Sequence, residues 1–260
     1  MITLIGHGYV GEYIAKELSN QNIPYHWIHH NNGVTQDTTF IINAAAYTGN
    51  PNVDACEKNK QETINGNVIY PVELELKHQN IPIIHITTGC VYTGYKEGGW
   101  SEEDEPNFNF DNGSFYCASK ALKQRLLMQF MNKSYLLRIR MPFGADKHPK
   151  NLLTKLENYA KLVDFKNSIS YVVDVARVAV YFAKNRPHPG IYNVCNPGAT
   201  TTKELSDRLG LKKEWFTQEE FLSSVVVPRA NCILNTDKLE KIFPIQNINN
   251  ALNLALESYK

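Results

Sequence analysis

The chain has 260 residues, a formal net charge of +1 and five cysteines. A chain of this length can bury a substantial core, and its near-zero charge argues against nucleic-acid binding through a broad basic face. No apolar run reaches the roughly 18 residues that cross a bilayer, and the N-terminal segment does not resemble a secretory signal. An odd cysteine number without CxxC spacing favours a reducing compartment. We therefore expect a cytoplasmic globular protein that binds neither nucleic acid nor membranes.

The predicted elements alternate between strands and helices in the first part of the chain. Apolar runs predict strands at 1–5, 23–28, 40–46, 81–88 and 135–141, and helical periodicity predicts helices at 10–18, 51–62, 68–78 and 118–131. Continuous apolar strands between helices predict a parallel sheet covered on both faces. Residues 30–39 are barely enough for a parallel crossover, so we expect a trimmed sheet edge there.

The character of the sequence changes after Pro142, where shorter elements and more Pro and Gly residues replace the regular alternation. This pattern predicts an α/β fold with two parts. Residues 1–145 form a Rossmann-like doubly wound parallel sheet, and residues 146–260 form mainly a small C-terminal substrate-binding lobe. Predicted strands near 169–173 and 190–194 return to the Rossmann core.

A glycine-rich segment directly after the first strand predicts a dinucleotide site. It consists of Gly6, His7, Gly8, Tyr9, Val10 and Gly11, and it opens a helix, as the GxGxxG motif requires. Gly6 and Gly8 would allow a tight turn and close approach of a pyrophosphate, and Gly11 would allow close helix–strand packing. The alternative is a purely structural turn.

The end of the second strand bears on the choice of cofactor. A site for NAD usually places Asp or Glu there to bind the ribose 2′-hydroxyl, but this chain has His29, His30, Asn31 and Asn32. The lack of a carboxylate removes repulsion of a 2′-phosphate, and either histidine could attract one. We predict NADPH as the cofactor, with NADH as the alternative. The two histidines are explained equally well as turn residues exposed to solvent.

Tyr116 and Lys120 form a YxxxK pair, which places both side chains on one helical face. A nearby ammonium group would lower the tyrosine pKa. The tyrosine could then exchange a proton with a substrate oxygen during hydride transfer. Thr88, at the end of the preceding strand, would hydrogen-bond the same oxygen. An ordinary surface pair on a helix is the alternative.

The segments GHGYVG, NAAAYT, TTGCVY, YCASK and LLRIRMP together resemble the extended short-chain dehydrogenase/reductase family. AAAYTGNPNVDACE, EEDEPNF, PKNLLTK, GIYNVCNPG and VVPRANCILNTDKL are more specifically similar to the UDP-4-keto-6-deoxyglucose 3,5-epimerase/4-keto-reductases, which complete UDP-L-rhamnose. The resemblance runs from about residue 2 to about residue 245. It implies that Ala44, Ala45, Ala46 and Tyr47 join the glycine turn, Tyr116 and Lys120 at the cofactor. It also implies a 4-keto substrate from a separate 4,6-dehydratase and leaves a homodimer open.

Cys90 and Lys155 gain roles from this resemblance. Cys90 lies two residues after Thr88, so both would face one side of an extended strand end. Lys155 lies in the family segment that carries the second epimerisation group. The resemblance implies a cysteine base on one face of the sugar and a general acid on the other, because a 4-keto group acidifies the hydrogens on carbons 3 and 5. Thr88 and Tyr116 would bind the enolate oxygen. A buried structural cysteine and a solvated lysine are the alternatives.

Arg229 and Asn151 are further substrate-binding candidates. A guanidinium suits phosphate oxygens, although a surface salt bridge explains Arg229 equally well. The acidic run at 102–105 is typical of a solvated loop, and we predict no metal. Two other functions stay open: a reductase that acts only on a dTDP- or UDP-linked 4-keto sugar, and a non-catalytic NADP-binding regulatory subunit on the same fold.

Overall fold

The computed structural model describes residues 1–50, 52–225 and 227–259. Its strands are β1 (Ile2–Ile5), β2 (Tyr25–Ile28), β3 (Phe40–Asn43), β4 (Ile83–Thr88), β5 (Tyr135–Ile139), β6 (Pro142–Phe143), β7 (Lys161–Val163), β8 (Lys166–Asn167), β9 (Ser170–Tyr171), β10 (Gly190–Asn193), β11 (Thr200–Thr201) and β12 (Glu214–Phe216).

The helices are α1 (Tyr9–Asn20), α2 (Ala55–Lys58), α3 (Lys60–Ile64), α4 (Tyr70–Lys77), α5 (Phe115–Leu127), α6 (Leu152–Asn158), α7 (Val172–Asn185), α8 (Thr202–Arg208), α9 (Gln218–Ser224), α10 (Asp237–Glu240) and α11 (Ile248–Ser258). A π-helical turn (Asn65–Ile69) joins α3 to α4, and a 3-10 turn (Met128–Phe130) follows α5. In the described ranges, no helix is both long enough and apolar enough to cross a membrane.

The central sheet contains six parallel strands in the order β10-β5-β4-β3-β1-β2. The six-stranded Rossmann order is 3-2-1-4-5-6. Here the position beyond β2 holds no strand in the described part of the chain, and residues 29–39 connect β2 to β3 without a helix. The predicted trimmed edge therefore coincides with β2, and the predicted Rossmann-like parallel sheet is confirmed.

Both faces of the sheet are covered, which explains why its inner strands are apolar at nearly every position. On one face, Leu4 and Ile42 pack with Leu18 of α1 and Phe182 of α7. On the other face, Ile5 and Ile41 pack with Leu74 of α4. Successive residues of one strand point to opposite faces, so a strand between two helical layers buries both sets.

Several predicted boundaries differ from the structure, two of them because of a single side-chain hydrogen bond. The third strand ends at Asn43 rather than residue 46, because its side-chain oxygen accepts the N–H of Ala45 at 3.1 Å. Helix α5 starts at Phe115 rather than residue 118, because Ser114 caps it by accepting the N–H of Cys117 at 3.1 Å. The helix predicted from residue 51 begins at Ala55; Pro51 lies outside the described residues.

Beyond residue 145 the chain contributes to two regions. Helix α7 packs on α1, and β10 pairs with β5 in the central sheet. The strand predicted at 169–173 is limited to β9, which pairs with β6 outside that sheet, because Val172 already begins α7. A second hydrophobic cluster joins α6, α8 and α11 through Leu156, Leu205 and Leu252. These elements therefore share a hydrophobic core distinct from that of the central sheet.

Candidate active site

The glycine turn between β1 and α1 combines two tightly packed glycines with an open one. Gly6 has φ +103°, and a Cβ there would lie 2.7 Å from the backbone nitrogen of Ala45. A Cβ on Gly11 would lie 2.3 Å from the carbonyl oxygen of Gly6. Around Gly8, by contrast, a Cβ would meet no described atom within 4 Å. Gly6 and Gly11 therefore allow the turn to pack, and Gly8 leaves the helix N-terminus open to an anion.

A cavity of about 760 Å³ lies beside this turn, at the carboxyl ends of β1, β2 and β3. Its volume falls within the range of cofactor sites, and in open α/β sheets ligands bind at this edge. The open position at Gly8 fits a dinucleotide pyrophosphate. The cavity is lined by Gly6, His7, Gly8, His29, His30, Ala44, Ala45, Ala46, Tyr47, Glu62, Asn65, Gly66, Ile69, Tyr70 and Glu73.

Two residues of the predicted cofactor site direct their side chains elsewhere. The Tyr9 side chain is buried, and its hydroxyl donates to Asp146 Oδ1 at 3.1 Å, as Tyr13 does at 2.7 Å. Burial and the Asp146 carboxylate raise the pKa of Tyr9, which keeps the hydroxyl a donor. Val10 packs against the main core. The side chains of Tyr9 and Val10 therefore secure α1, so the prediction that these residues bind the cofactor rests on their backbone in the first turn of the helix.

An aromatic stack supports the glycine turn. The ring of His7 lies 4.5 Å from that of Trp27 and 4.0 Å from that of His29, measured between centroids. Trp27 donates its indole N–H to the carbonyl oxygen of Gly6 at 3.0 Å. Burial, with the neighbouring His29, lowers the pKa of His7, so this ring is neutral near pH 7. Sequence analysis missed Trp27, whose position at the end of β2 was the available signal.

Tyr116 and Lys120 lie on the first turns of α5 and are both buried. Lys120 donates to Asn67 Oδ1 at 2.8 Å, and its ammonium lies 5.4 Å from the Tyr116 ring centroid. Burial lowers the pKa of Lys120 to about 7, whereas burial and the nearby Cys90 and Cys117 raise the pKa of Tyr116. The expectation that Lys120 lowers the tyrosine pKa is wrong, because the ammonium lies against the ring and itself loses solvation.

Asn67 is a site residue that sequence analysis missed. Its side chain donates to the carbonyl oxygen of Tyr47 at 2.9 Å and accepts the Tyr47 N–H at 3.0 Å, in addition to its bond with Lys120. It lies on the π-helical turn, a feature frequently found at functional sites. Asn67 thus fixes both the segment that lines the cavity and the lysine of the YxxxK pair.

Cys90 approaches Thr88 through a turn, not along a strand. Strand β4 ends at Thr88, and the backbone N–H of Cys90 donates to Thr88 Oγ1 at 3.0 Å. The expectation from strand alternation is therefore wrong in its geometry, although the two residues are adjacent. Cys90 packs against the cluster that contains Tyr116 and Cys117. Its sulfur also accepts from Arg140 Nη1 at 2.8 Å, a contact that sequence analysis missed.

Helix α6 carries Lys155 and begins after Asn151. The fully buried Asn151 caps the helix by accepting the Leu153 N–H at 3.0 Å and donates to the carbonyl oxygens of Gly144 and Asp146. Its amide is occupied by backbone groups, so the prediction that it binds substrate is wrong. Lys155 is partly buried. Burial and Lys150 lower its pKa, and the neighbouring Cys90 acts in the opposite direction.

Arg229 forms a salt bridge with Asp54 at 2.7 Å. Its side chain is 28% exposed. Of the two interpretations, phosphate ligand or surface salt bridge, the structure shows the salt bridge. Val226, in the same predicted segment, lies outside the described residues.

The acidic run at 102–105 has a structural role at two of its positions. Glu102 is buried and accepts the Asn193 N–H at 2.8 Å, and Asp104 accepts from Ser101 at 2.8 Å. Within the described ranges, no group of three or more His, Cys, Asp or Glu side chains is arranged to hold a metal ion.

The fold and the site together define a member of the dinucleotide-binding short-chain reductases, with a YxxxK pair beside the sheet edge. The family model of the RmlD substrate binding domain matches residues 7–257. The chain therefore belongs to the RmlD family.

Two plant relatives and two solved structures extend the comparison. The chain is 35% identical to a bifunctional dTDP-4-dehydrorhamnose 3,5-epimerase/dTDP-4-dehydrorhamnose reductase of Arabidopsis thaliana, over 91% of this chain and 85% of the relative. It is 33% identical to a trifunctional UDP-glucose 4,6-dehydratase/UDP-4-keto-6-deoxy-D-glucose 3,5-epimerase/UDP-4-keto-L-rhamnose-reductase of the same plant. That match covers 91% of this chain but only 38% of the relative.

Among solved structures, the UDP-rhamnose synthase of Acanthamoeba polyphaga mimivirus aligns with a TM-score of 0.90 and 25% identity, over 100% of this chain and 99% of that chain. A dTDP-4-dehydrorhamnose reductase of Clostridium acetobutylicum aligns with a TM-score of 0.81 and 21% identity, over 98% of both chains. At that identity the second similarity shows the fold alone.

Proposed function

We propose that the chain is a bifunctional nucleotide-sugar 3,5-epimerase/4-keto-reductase that converts UDP-4-keto-6-deoxy-D-glucose into UDP-L-rhamnose. The observation that carries the proposal is a thiol, Cys90, that bonds Thr88 and packs with Tyr116. An amine, Lys155, lies within electrostatic range of that thiol. A reductase alone uses the hydroxyl groups and has no need of a second acid–base pair. The names of the plant relatives and of the viral synthase support the same assignment.

The epimerisation follows from the acidity of the substrate. The 4-keto group acidifies the hydrogens on carbons 3 and 5, so a thiolate at Cys90 can remove one and form an enolate. Lys155 then returns a proton from the other side, which inverts the carbon. Its lowered pKa suits this role, since an ammonium group closer to neutral pH is a stronger acid.

Thr88 and Tyr116 bind the substrate oxygen in both reactions. Thr88 Oγ1 already accepts the Cys90 N–H, so its own proton is left to donate. The raised pKa of Tyr116 keeps its hydroxyl protonated until the reduction requires that proton. A bound nicotinamide supplies the hydride to carbon 4. The pKa of Lys120 is about 7, so its ammonium group can then return a proton to Tyr116.

Two features of the cofactor site support NADPH as the proposed cofactor. Gly8 leaves the N-terminus of α1 open for the pyrophosphate, and His29 and His30 line the cavity at the end of β2, where a carboxylate would select NAD. We propose NADPH as the preferred cofactor and NADH as the weaker one. A separate 4,6-dehydratase supplies the substrate, an activity that the name of the trifunctional relative includes.

The test is a product analysis in deuterated water with UDP-4-keto-6-deoxyglucose and NADPH. We expect UDP-L-rhamnose with deuterium on carbons 3 and 5. Cys90→Ala and Lys155→Met should each lower deuterium incorporation by about a hundredfold or more, the scale of a lost acid–base group. Both variants should still reduce a 4-keto sugar that already has the rhamnose configuration.

Cys195→Ala, at a buried cysteine, and Lys147→Met, at a surface lysine paired with Glu157, are the matched controls. Both should retain incorporation to within about threefold, far less than the loss of an acid–base group. A reduced product without deuterium would identify a reductase without epimerase activity. A protein that binds NADPH but shows neither reduction nor exchange would be a non-catalytic subunit. Either outcome overturns the proposal.

A further inference from the structure

Arg140 is a buried cation to which none of the described residues supplies a carboxylate partner. Its side chain is 2% exposed, and it lies between β5 and β6. Nη1 donates to Cys90 Sγ at 2.8 Å, and Nη2 donates to Asn167 Oδ1 at 2.6 Å and to the carbonyl oxygen of Ala230. Among the residues that the structure describes, no carboxylate oxygen lies within 4 Å of this guanidinium, and its Nε has no hydrogen-bond partner.

A guanidinium stays charged in proteins, and a buried charge without a counter-charge is costly. Arg138, two residues earlier and also buried, provides a comparison. Its charge interacts with the carboxylates of Glu102 and Asp104, which favour its protonated form. The corresponding groups around Arg140 are the thiols of Cys90, Cys232, Cys117 and Cys195.

Cys90 is distinguished among these thiols chiefly by its exposure, since Cys232 also interacts with Arg140. It accepts a hydrogen bond from the guanidinium, and it is partly exposed whereas the other three are buried. Two amines, Lys120 and Lys155, also lie within electrostatic range of its sulfur. The remaining titratable groups that interact with it, Tyr116 and the three other thiols, have pKa values raised by burial and are uncharged near pH 7.

We propose that Arg140 is the positioning residue that holds Cys90 as a thiolate before the sugar binds. The inference rests on the proposed function, in which Cys90 is the base that removes the proton from the sugar. Thiols beside arginine ionise well below the range of a free cysteine. The bonds to Asn167 and Ala230 fix the guanidinium, so its charge stays directed at the sulfur.

The rate at which iodoacetamide alkylates Cys90, followed by peptide mass spectrometry across pH, tests this inference without requiring turnover. We expect Arg140→Gln to slow the alkylation at about pH 6.5 by roughly tenfold or more, because less thiolate is present. Arg140→Lys, which keeps the charge, should recover part of the rate. Arg138→Gln removes a buried guanidinium with no bond to Cys90 and should leave the pH profile unchanged. Equal profiles for wild type and Arg140→Gln would overturn the inference.

A split between the two reactions gives a second readout. Arg140→Gln should lower deuterium exchange at carbons 3 and 5 by roughly tenfold or more, while reduction of the pre-epimerised sugar changes by no more than about threefold. If alkylation is slower in Arg140→Gln but deuterium exchange is normal in Cys90→Ala, Arg140 does hold the thiolate and the proposed function is refuted. If alkylation is normal in Arg140→Gln but exchange is lost in Cys90→Ala, the proposed function is supported and the role of Arg140 is refuted.

A measurement on the unaltered side chain covers the case in which Arg140→Gln does not fold. The thiolate absorbance of the wild type minus that of Cys90→Ser reports the ionisation of Cys90 alone. Half-ionisation below about pH 7.5 supports the inference, and a value at or above that pH overturns it, since a free cysteine ionises near pH 8.5.

Discussion

Two substitutions in the glycine turn should separate packing from binding. In Gly11→Ala the new Cβ would lie 2.3 Å from the Gly6 carbonyl oxygen, so the backbone of the turn must move. Overpacking against a rigid neighbour costs about 3 kcal/mol at the upper end of the usual range. Replacing a helical glycine by alanine returns about 1 kcal/mol. We expect the free energy of unfolding to fall by about 2 kcal/mol.

Gly8→Ser is the matched change at the open position. Gly8 is the N-cap of α1 in an extended conformation (φ −92°, ψ 177°), which serine favours, and no described atom lies within 4 Å of the new Cβ. Stability should be unchanged or higher by about 0.5 kcal/mol. The side chain would enter the space proposed for the pyrophosphate, so the Kd for NADPH should rise by about tenfold or more.

Urea unfolding without cofactor and a fluorescence titration with NADPH measure the two effects. A Gly11→Ala protein within about 0.5 kcal/mol of the wild type would refute the packing argument, since ordinary surface changes fall in that range. A Gly8→Ser protein that binds NADPH as tightly as the wild type would refute the assignment of the open position to a phosphate.

The remaining predictions concern two polar networks away from the reacting atoms. Lys133→Met removes the ammonium partner of the fully buried Glu75, and we expect a loss of about 3 kcal/mol in urea unfolding; a loss below about 1 kcal/mol would contradict this. Burial would raise the pKa of Glu75, but its bonds to His85 and Lys133 outweigh that effect and hold it below the usual 4.5. The stability that this carboxylate contributes is therefore present above about pH 4.5 and lost as the pH falls further. Glu75→Gln should flatten the acid limb of a plot of unfolding free energy against pH, and an unchanged limb would refute the role of this group. Asp146→Ala removes the acceptor that Tyr9 and Tyr13 share and should lower the free energy of unfolding by about 2 kcal/mol. Tyr13→Phe removes only one of the two hydrogen bonds and should cost less. Equal losses in the two variants would show that the shared acceptor does not matter.

Local features of the fold were predictable from the sequence. The strand, glycine turn and helix at 1–20 depend on neighbouring residues, so the motif was sufficient. The Rossmann-like sheet followed from apolar runs at regular spacing, and the short 30–39 connection predicted where its edge would be trimmed. Element ends were predicted less well, because Asn43 and Ser114 end or begin their elements through single side-chain hydrogen bonds.

Site residues show the same division. Tyr116, Lys120 and Thr88 were chosen by motif, and the structure places them in or beside one buried cluster. The charge relations were not predictable, because they depend on burial. Lys120 has a lowered pKa and bonds Asn67, 53 residues away in the chain. Asn151 looked like a ligand in a family segment but caps a helix, which only its backbone surroundings reveal.

The sequence by itself determined the class of fold, the glycine turn and the residue types that a keto-sugar enzyme needs. Tertiary structure alone decided which cation meets the candidate base. Arg140 and Cys90 are 50 residues apart in the chain, yet the guanidinium donates directly to the sulfur. No local pattern encodes that contact, because it arises where the ends of β4 and β5 come together in the sheet and bury the guanidinium beside the sulfur.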